Sequence, residues 1–469
     1  MKALFLTAFV AATTSLALAS CTETPPEEPT PVIQITGGYV QGVLSDDWRT
    51  VIYRGLPYAA PPVGELRWKK PQPVEPWDTV LIADTFSDAA WQGNHDPLDG
   101  VYGTEFYYND PTWNEDCLYL NVWTPFAASD HPERKLPVAL WVHGGAFTGG
   151  WGFEDEFDGE AWAQRGVILV TINYRLGVFG FLRHPELAAE DDGHSGNYGL
   201  YDQIAALRWV RDNIAQFGGD PDNITIFGQS AGARSVKNLV TSPLSRDMVA
   251  KCIVMSGGGL GPEDAPQPAA VDYEAQGKDI MDRGGLTSLQ LMREASADSV
   301  FAVAASYPAY PLFGQRTDDV VLPQQFDQAV YRKQVADIPY MMGSVADDLG
   351  NLGEGIRRFG QVRDSLSEQP TYLYYFERPL PDDGRPCLHG SFHSSELWFV
   401  FGTLARSWRP FTEADYELSS RIIDHWTNFC RTGNPNGEAA GEWRPATQSD
   451  PFVMTLKLKE ERSIIHYWK

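Results

Sequence analysis

Short apolar segments rich in β-branched residues alternate with segments of helical periodicity along most of this chain. The strand-like segments are residues 136–142, 167–172, 224–227, 252–255, 338–342 and 371–376. Helical spacing occurs in residues 160–165 and 200–216, and one face of the second segment carries Ile204, Leu207, Val210 and Ile214. Buried strands that alternate with helices favour a mostly parallel central sheet with helices on both faces. The pattern therefore predicts one large α/β domain, which we assign to residues 33–469.

The charge balance excludes one class of partner. The 469 residues include 37 Lys and Arg against 62 Asp and Glu, which gives a formal net charge of −25. Nucleic-acid binding needs clustered basic side chains that contact phosphates, so no nucleic-acid partner is expected. The five cysteines are also too few for a disulfide-stapled scaffold.

The N-terminus has the features of an export signal. Lys2 precedes an apolar stretch that ends in Leu18-Ala19-Ser20-Cys21, which resembles the lipobox of bacterial lipoproteins. We predict a signal peptide over residues 1–20 and lipid on Cys21; ordinary cleavage after Ala19 is the alternative. The Pro, Glu and Thr of residues 21–32 predict an extended tether. The domain is therefore expected to be exported, either periplasmic or held at a membrane only through Cys21, and otherwise secreted.

The sharpest local motif is Gly228-Gln229-Ser230-Ala231-Gly232, which fits the pattern G-x-S-x-G. It follows the strand-like segment ending at residue 227 and precedes residues 233–240, which can form a helix. Strand, sharp turn and helix are the setting of a nucleophile elbow, in which small neighbours let a strained serine stand above the sheet. The helix N-terminus then supplies N–H groups where an oxyanion would form. We interpret Ser230 as the candidate nucleophile.

A second glycine-rich turn lies upstream of this motif. His143-Gly144-Gly145-Ala146 directly follows the strand-like segment 136–142. Consecutive small residues let backbone N–H groups approach a substrate oxygen, and such donors stabilise a tetrahedral intermediate. We expect this turn to form an oxyanion hole, and we expect His143 itself to be structural.

Several further motifs occur in the order seen in one enzyme family. They are Arg54-Gly55-Leu56-Pro57, Glu115-Asp116-Cys117-Leu118, Asn173-Tyr174-Arg175-Leu176-Gly177 and Gly196-Asn197-Tyr198-Gly199. Together with the two glycine motifs they resemble the type-B carboxylesterases, the family of para-nitrobenzyl esterases and cholinesterases. The resemblance covers residues 33–469. It implies the α/β-hydrolase fold and hydrolysis of carboxylic esters by a serine nucleophile.

The same resemblance places the other members of a catalytic triad. His393 occupies the position of the family's catalytic histidine, and Asp348 occupies that of its acid, where relatives usually have Glu. Asp347 is the alternative acid. The chain order of Ser230, Asp348 and His393 is that of an α/β hydrolase.

The resemblance also implies how the reaction is supported. We expect the backbone N–H groups of Gly145, Ala146 and Ala231 to hold the oxyanion during formation of an acyl-enzyme. No cofactor is expected, and the expected partner is a small-molecule ester. His389 and His393 have the spacing of a helical metal pair, but the residues between them lack the Glu of a zincin helix, so no metal is expected.

The chain departs from the family at several positions. Gln229 stands where relatives often have Glu, which removes a charge beside the nucleophile. Cys117 lacks the upstream partner cysteine of many relatives, so we expect a free thiol. Cys252 is expected to be buried. Cys387 and Cys430 could pair in an oxidising compartment, and the sequence leaves this open.

The segment between the predicted acid and the predicted histidine is short. Asp348 and His393 are 45 residues apart, several tens fewer than the family usually shows. Residues 351–369 replace what is normally a larger helical section over the pocket. We therefore expect a shortened lid and a more open or reshaped roof.

Two charged features beside these motifs have two interpretations each. Arg234 lies one helical turn after Ser230 and could bind a substrate carboxylate, but we favour a structural ion pair. The acidic run Glu154-Asp155-Glu156, with Asp158, could attract cations, but we expect it to be a solvated surface.

Several functions fit the motifs. Triad chemistry alone does not separate ordinary carboxylic esters from aryl or feruloyl esters, lactones or amides, because specificity lies in the pocket walls. A non-catalytic binding protein, like the neuroligins of the same family, is the alternative from another class. Retention of Ser230, His393 and a carboxylate at position 348 argues against it.

Overall fold

A computed structural model describes residues 30–92, 103, 105–106, 109, 111–129, 131–265, 271–307, 313–437 and 443–459. The predicted signal peptide, Cys21 and most of the predicted tether lie outside the described residues. The tether prediction extends too far at its C-terminal end. Thr30 is buried and its hydroxyl donates to the Gly42 carbonyl at 2.6 Å, and the first strand begins at Val32. Residues 30–32 pack because their backbone and side-chain groups pair with the strands that follow.

A ten-stranded mixed sheet runs through the molecule. The strands of the described residues are β1 Val32–Ile35, β2 Gly38–Gln41, β3 Val43–Leu44, β4 Thr50–Pro57, β5 Val80–Ile82, β6 Ala89–Ala90, β7 Trp113–Asn114, β8 Tyr119–Pro125, β9 Leu136–Val142, β10 Ile168–Ile172, β11 Gly219–Gln229, β12 Lys251–Met255, β13 Tyr340–Val345, β14 Thr371–Phe376 and β15 Val453–Leu456. The large sheet has the order β15-β14-β13-β12-β11-β9-β10-β8-β4-β3. It is parallel from β15 to β10, and β8, β4 and β3 continue it in antiparallel pairing.

Helices follow most of the parallel strands. They are α1 Glu160–Ala163, α2 Gly177–Phe181, α3 Pro185–Glu190, α4 Tyr198–Asn213, α5 Ala231–Leu239, α6 Tyr273–Arg283, α7 Leu289–Glu294, α8 Ala297–Ala305, α9 Phe326–Tyr331, α10 Gly353–Leu366, α11 Leu397–Phe401 and α12 Glu413–Thr432. Short 3-10 helices occur at Gly64–Leu66, Phe126–Ala128, Pro132–Arg134, Ile214–Phe217, Arg246–Met248 and Leu404–Arg406.

The ends of the longest helix, α12, follow from its sequence. Thr412 and Asp415 form a capping box that satisfies the first N–H groups, and Gly433 ends the helix with φ of 77°. Between these residues the apolar face places Leu418, Ile422 and other buried side chains against the sheet. Burial of this face, rather than intrinsic propensity, supplies most of the helix's stability.

Alternate residues of each central strand enter two different cores. In β9, Leu140 contributes to one core and Trp141 to the other. The first core lies between the sheet and a group that includes α4, α5 and α10, and the second lies between the sheet and α11 and α12. Burial on both faces explains why these strands are almost continuously apolar. The predicted mostly parallel sheet with helices on both faces is confirmed.

The strand and helix predictions agree closely with the structure. The predicted strand segments 136–142 and 371–376 match β9 and β14 at both ends. The others are displaced at their ends, most of all the segment 224–227, which lies inside the longer β11. The predicted helix 200–216 is α4 followed by a 3-10 turn that Gly218 ends with φ of 83°.

The described cysteines are free thiols. Cys117, Cys252 and Cys430 are buried, and Cys387 is half-buried in the loop after β14. Cys117 is therefore free as expected. Cys430 belongs to α12 and its apolar core, so the open possibility of a Cys387–Cys430 disulfide is not realised. Among the described residues, none of the helices has the length and apolar character needed to cross a membrane.

Candidate active site

Ser230 stands at a sharp turn between β11 and α5. It has φ of 57° and ψ of −118°. A non-glycine residue held in such a region costs on the order of 1–3 kcal/mol and persists only where its surroundings enforce it. Here the N–H of Ser230 donates to the Met255 carbonyl at 3.0 Å, and its carbonyl accepts the N–H of Arg234 at 3.1 Å. The serine is therefore fixed between the end of β12 and the first turn of α5, in the predicted strand–turn–helix setting.

Two glycines make this turn sterically possible. A Cβ on Gly232 would lie 1.9 Å from the carbonyl oxygen of Val142, and a Cβ on Gly228 would lie 2.5 Å from the carbonyl carbon of Gly232. Any side chain at these positions would push α5 away from the end of β9. The glycines of the motif are thus required by close approach of backbone to backbone.

The glycine-rich loop after β9 lies against the same serine. A Cβ on Gly144 would come within 3.3 Å of the Cβ of Ser230. Gly145 and Ala146 have φ of 95° and 55°. Within the described part of the chain, the N–H groups of these two residues donate to no protein acceptor. Ala231 is the first residue of α5, where N–H groups also lack a helical acceptor.

A short hydrogen bond joins His393 and Asp348. Oδ1 of Asp348 lies 2.5 Å from Nδ1 of His393, and the side chains are 3% and 9% exposed. Asp348 follows β13, and the N–H of Leu349 donates to the same carboxylate oxygen at 2.7 Å. His393 lies in the loop between β14 and α11. A carboxylate facing Nδ1 keeps the proton on that nitrogen and leaves Nε2 unprotonated.

Asp347, the alternative acid, has a different set of contacts. Its carboxylate accepts the N–H of Ser391 at 2.8 Å, and its own N–H donates to the Ser391 carbonyl at 2.9 Å. The backbone of Asp347 also forms an isolated parallel bridge with Phe392. Asp347 therefore joins the loop that carries Asp348 to the loop that carries His393.

Gln229 contacts the other nitrogen of the imidazole. Its amide nitrogen lies 3.2 Å from Nε2 of His393. Because the proton of His393 is on Nδ1, Nε2 accepts the amide N–H. A Glu at this position could not donate in this way. The bond holds the imidazole beside the residue that directly precedes Ser230.

Ser230 and His393 line two cavities, together with Ala146 and Leu349. The larger cavity has a volume of about 500 Å³, and we call it the arginine lobe. Its further lining includes Arg234, Arg316, Asn238, Gln315, Phe147 and Phe313. The smaller cavity has a volume of about 370 Å³, and we call it the glutamate lobe. Its further lining includes Glu154, Glu156, Phe106, Phe157 and Leu397.

The short segment between Asp348 and His393 covers little of these cavities. Leu349 and Leu352 are its lining residues after Asp348, and the Leu349 side chain is 66% exposed. The following helix α10 buries Ile356 and Phe359 in the core beside the sheet. This placement agrees with the expected open roof, which stays a prediction.

Arg234 corrects one of our interpretations. Its side chain is exposed and lines the arginine lobe, and among the described residues it forms no ion pair. Helical side chains lean toward the N-terminus of their helix, which directs Arg234 toward Ser230 and the cavity. The favoured interpretation as a structural ion pair is therefore wrong.

The acidic run is also placed differently from our expectation. Glu154 and Glu156 are 6% and 1% exposed, so the interpretation as a solvated surface is wrong. Burial raises the pKa of Glu154 to about 7. Burial and repulsion from Glu154 raise the pKa of Glu156 well above its ordinary value. The buried carboxylate of Glu154 also anchors the loop after β9, because it accepts the N–H of Trp151 at 2.9 Å.

Sequence reasoning missed Glu396, a third buried carboxyl near the site. Glu396 is 1% exposed, three residues after His393. Burial raises its pKa to about 8, repulsion from Asp348 adds to the rise, and the Ser256 hydroxyl opposes it. The side chain is therefore mostly protonated at neutral pH, which spares Asp348 a second negative charge. Nothing in the sequence distinguishes this Glu from an exposed one.

His143 is placed as expected. Its Nδ1 lies 2.9 Å from the carbonyl oxygen of Gly144, and its ring stacks on Tyr174 at 4.4 Å. Burial lowers the pKa of His143 to about 4, so the ring stays neutral. These contacts hold the glycine-rich loop in place.

His389, which has helical metal-pair spacing with His393 in the sequence, is exposed. It forms a group with Asp382 and Cys387 whose potential ligand atoms lie within 4.8 Å of one another. A group of this size could hold a metal ion, but it lies on a solvent-exposed loop and does not line either lobe. The residues that line the lobes are instead those of a site for an organic molecule.

The buried Glu396 gives a pH dependence of stability that can be tested. Its pKa is about 8 in the folded protein against an ordinary value of 4.5, so the folded state holds this proton while the unfolded state releases it. Raising the pH through this window therefore destabilises the fold, by up to about 1.4 kcal/mol per pH unit. Glu396→Gln removes this dependence. The free energy of unfolding of the variant should rise relative to wild type between pH 5 and pH 8.

Chemical denaturation at several pH values measures this difference. Glu75 is exposed, so Glu75→Gln is the matched control, and its stability difference should not grow with pH. If the free energies of unfolding of Glu396→Gln and wild type changed in parallel with pH, a buried and protonated Glu396 would be contradicted.

Comparison with known proteins identifies the family. The sequence profile of the Carboxylesterase family matches residues 29–359 and 355–467. Para-nitrobenzyl esterase of Bacillus subtilis strain 168 is 34% identical over 442 residues, which cover 82% of this chain and 87% of that protein. Fumonisin B1 esterase of Sphingopyxis macrogoltabida is 38% identical over 330 residues, which cover 69% of this chain and 57% of that protein.

Solved structures agree with the sequence relatives. A structure of PNB esterase superposes with a TM-score of 0.76 at 29% identity, covering 91% of this chain and 95% of that one. The Geobacillus stearothermophilus carboxylesterase EST55 has a TM-score of 0.75 at 28% identity, covering 91% and 96% of the two chains. The fold is therefore the α/β-hydrolase fold, and the chain belongs to the carboxylesterase family of serine enzymes that hydrolyse carboxylic esters.

Proposed function

We propose that Ser230 is the nucleophile, His393 the general base and Asp348 the orienting acid in the hydrolysis of small-molecule carboxylic esters. The observation that carries this assignment is the 2.5 Å bond between Asp348 and His393, beside a strained serine on the wall of the same cavity. The elements that contribute these residues are parallel strands or the loops after them. Ligand sites of open α/β sheets form at this carboxyl edge.

The proposed reaction proceeds in two steps. His393 Nε2 takes the proton of Ser230 Oγ while the oxygen attacks the ester carbonyl carbon, and the negative charge moves to the carbonyl oxygen. The N–H groups of Gly145, Ala146 and Ala231 hold this oxyanion. The intermediate collapses, and the alcohol leaves with the proton from His393. Water then attacks the acyl-enzyme by the same route and releases the carboxylic acid.

Gln229 has a specific role in this scheme. Its amide N–H engages Nε2 of His393 at 3.2 Å, so this bond must weaken when Nε2 accepts the serine proton. The neutral amide keeps the imidazole facing the cavity without adding charge beside it. A Glu here would stabilise the imidazolium instead.

The two lobes support an organic ester as the substrate. Their volumes of about 500 and 370 Å³ lie in the range of pockets for small molecules. Both lobes meet at Ser230, as a substrate with one group on each side of the ester bond requires. Two relatives are named para-nitrobenzyl esterase and fumonisin B1 esterase, which supports the hydrolysis of organic esters by this chain.

The proposed reaction is tested by removing the nucleophile. Ser230→Ala should lower kcat toward para-nitrophenyl butanoate by up to about 10⁶-fold, because a triad nucleophile has no substitute. The exposed Ser299 supplies the control, Ser299→Ala, which should keep wild-type activity. Comparable activity of Ser230→Ala and wild type would rule out this nucleophile. A well-folded wild type that cleaves no ester would instead favour a binding protein.

The N-terminal sequence supports a further proposal on location. We infer that residues 1–20 are an export signal and that Cys21 carries lipid, so that the enzyme is tethered at a membrane surface. Mass spectrometry of the mature protein should find Cys21 as the N-terminal residue with an added lipid mass. An unmodified N-terminus at Ser20 or Cys21 would contradict the lipid anchor.

A further inference from the structure

The arginine lobe places positive charge beside the nucleophile of a strongly acidic protein. Arg234 and Arg316 both line it, in a chain with 62 acidic and 37 basic residues. Acidic groups are thus abundant, yet among the described residues neither arginine forms an ion pair.

Arg316 is held in place without using its charge. Its backbone N–H and carbonyl both bond the side chain of Asn197, at 2.9 and 2.7 Å. Its guanidinium stacks over Tyr273 at 4.6 Å, and within the described chain its buried Nε has no hydrogen-bond partner. The nearby Asp318 is already engaged, since one oxygen accepts three backbone N–H groups and the other bonds Asn197.

Arg234 lies closest to the reacting serine along the chain. Its N–H bonds the Ser230 carbonyl, so the two residues are about one helical turn apart, a rise of about 6 Å along the axis. Asn238, one turn further, is fixed by a bond to Gln315 at 2.6 Å, and both line the same lobe. Lys237 adds positive charge next to the arginine lobe, because its ammonium donates at 2.9 Å to the carbonyl of Gly257, which lines that lobe.

The glutamate lobe is lined by acidic instead of basic side chains. Glu154 and Glu156 line it with apolar side chains, and among the residues that the structure describes no arginine or lysine lines it. Burial shifts Glu154 and Glu156 toward their neutral forms, so the charge that acts on an anionic group of a substrate is that of Arg234 and Arg316. The arginine lobe is therefore the one that attracts such a group.

From this geometry we propose that the enzyme is selective for esters that carry a free carboxylate, and that Arg234 and Arg316 bind that carboxylate in the arginine lobe. The proposal rests on the proposed function and specifies its substrate class. An example is a half-ester of a short dicarboxylic acid, whose second carboxylate lies a few methylene groups from the scissile carbonyl. Hydrolysis then yields the dicarboxylate and the alcohol. Guanidinium groups suit this role because they bind carboxylates through two parallel hydrogen bonds.

The test compares two esters of the same skeleton that differ in charge. Monomethyl glutarate is anionic at pH 7, and dimethyl glutarate is neutral. Wild type should have the higher kcat/KM for the monomethyl ester. Arg234→Gln should lower this value by about 10- to 100-fold, the usual loss for a hydrogen-bonded charge, and should lower the value for the dimethyl ester by a clearly smaller factor. Arg316→Gln should act in the same direction, and Arg234→Lys should keep more of the preference than Arg234→Gln.

A second pair of esters locates the carboxylate. The butanoate ester of glycolic acid carries its carboxylate on the alcohol side, and propyl butanoate is its neutral counterpart. If the arginine variants lose the preference for the anionic ester of the first pair, the arginine lobe binds the acyl group of the substrate. If they lose the preference for the anionic ester of the second pair, the arginine lobe binds the alcohol group. Either result supports the proposal.

An arginine far from the lobes provides the control for these measurements. Arg134 is exposed and outside both lobes, so Arg134→Gln should leave all four rates unchanged. The proposal is overturned if Arg234→Gln and Arg316→Gln lower anionic and neutral rates equally, or if wild type prefers neither anionic ester. Ser230-dependent cleavage of neutral esters alone would leave the proposed function intact, whereas an enzyme inert toward all four esters would contradict both.

Discussion

The close approach of α5 to the end of β9 is the constraint on which the site depends. Gly232 lies so near the Val142 carbonyl that no Cβ fits between them, and Ser230 makes the turn into α5 with φ of 57°. The same contact brings the glycine-rich loop after β9 against the serine. The nucleophile and the N–H groups of Gly145 and Ala146 are therefore positioned by one packing interaction. The parallel register of β9, β11 and β12 maintains it from below.

The electrostatics of the site follow from which charges are buried and which are paired. Asp348 is nearly excluded from solvent and faces His393, while the nearby Glu396 stays protonated at neutral pH because burial raises its pKa to about 8. On the other side of Ser230, the buried Glu154 and Glu156 are likewise shifted toward their neutral forms. The exposed positive charge of Arg234 then gives the substrate cavity a polarity opposite to that of the whole protein.

Much of the fold and of the candidate site could be predicted from the sequence, because the relevant signals are local. Strands buried on both faces have continuous apolar sequences. The turn at Ser230 needs Gly228 and Gly232 because the backbone approaches too closely there for a side chain, and this holds in any such turn. The surroundings of the Glu154 and Arg234 side chains could not be predicted in this way. A charged residue in a loop or on a helix has the same sequence pattern whether it faces solvent, a partner or a cavity. Glu396 gave no signal at all, since its burial depends on elements far apart in the chain. The end of the tether was misplaced because Thr30 pairs with a strand whose position composition does not reveal.

The central claim is that the contact between Asp348 and His393 orients the imidazole toward Ser230, and adjacent aspartates provide a direct test of it. The measurement is kcat for a neutral ester by Asp348→Asn and by Asp347→Asn. Asp348→Asn should lower kcat by about 10³- to 10⁴-fold, because a neutral amide does not stabilise the imidazolium and its NH2 group, facing Nδ1, selects the wrong tautomer. Asp347→Asn should stay within about tenfold of wild type, since an amide oxygen can still accept the Ser391 N–H. Equal losses in the two variants, or a larger loss for Asp347→Asn, would contradict the account.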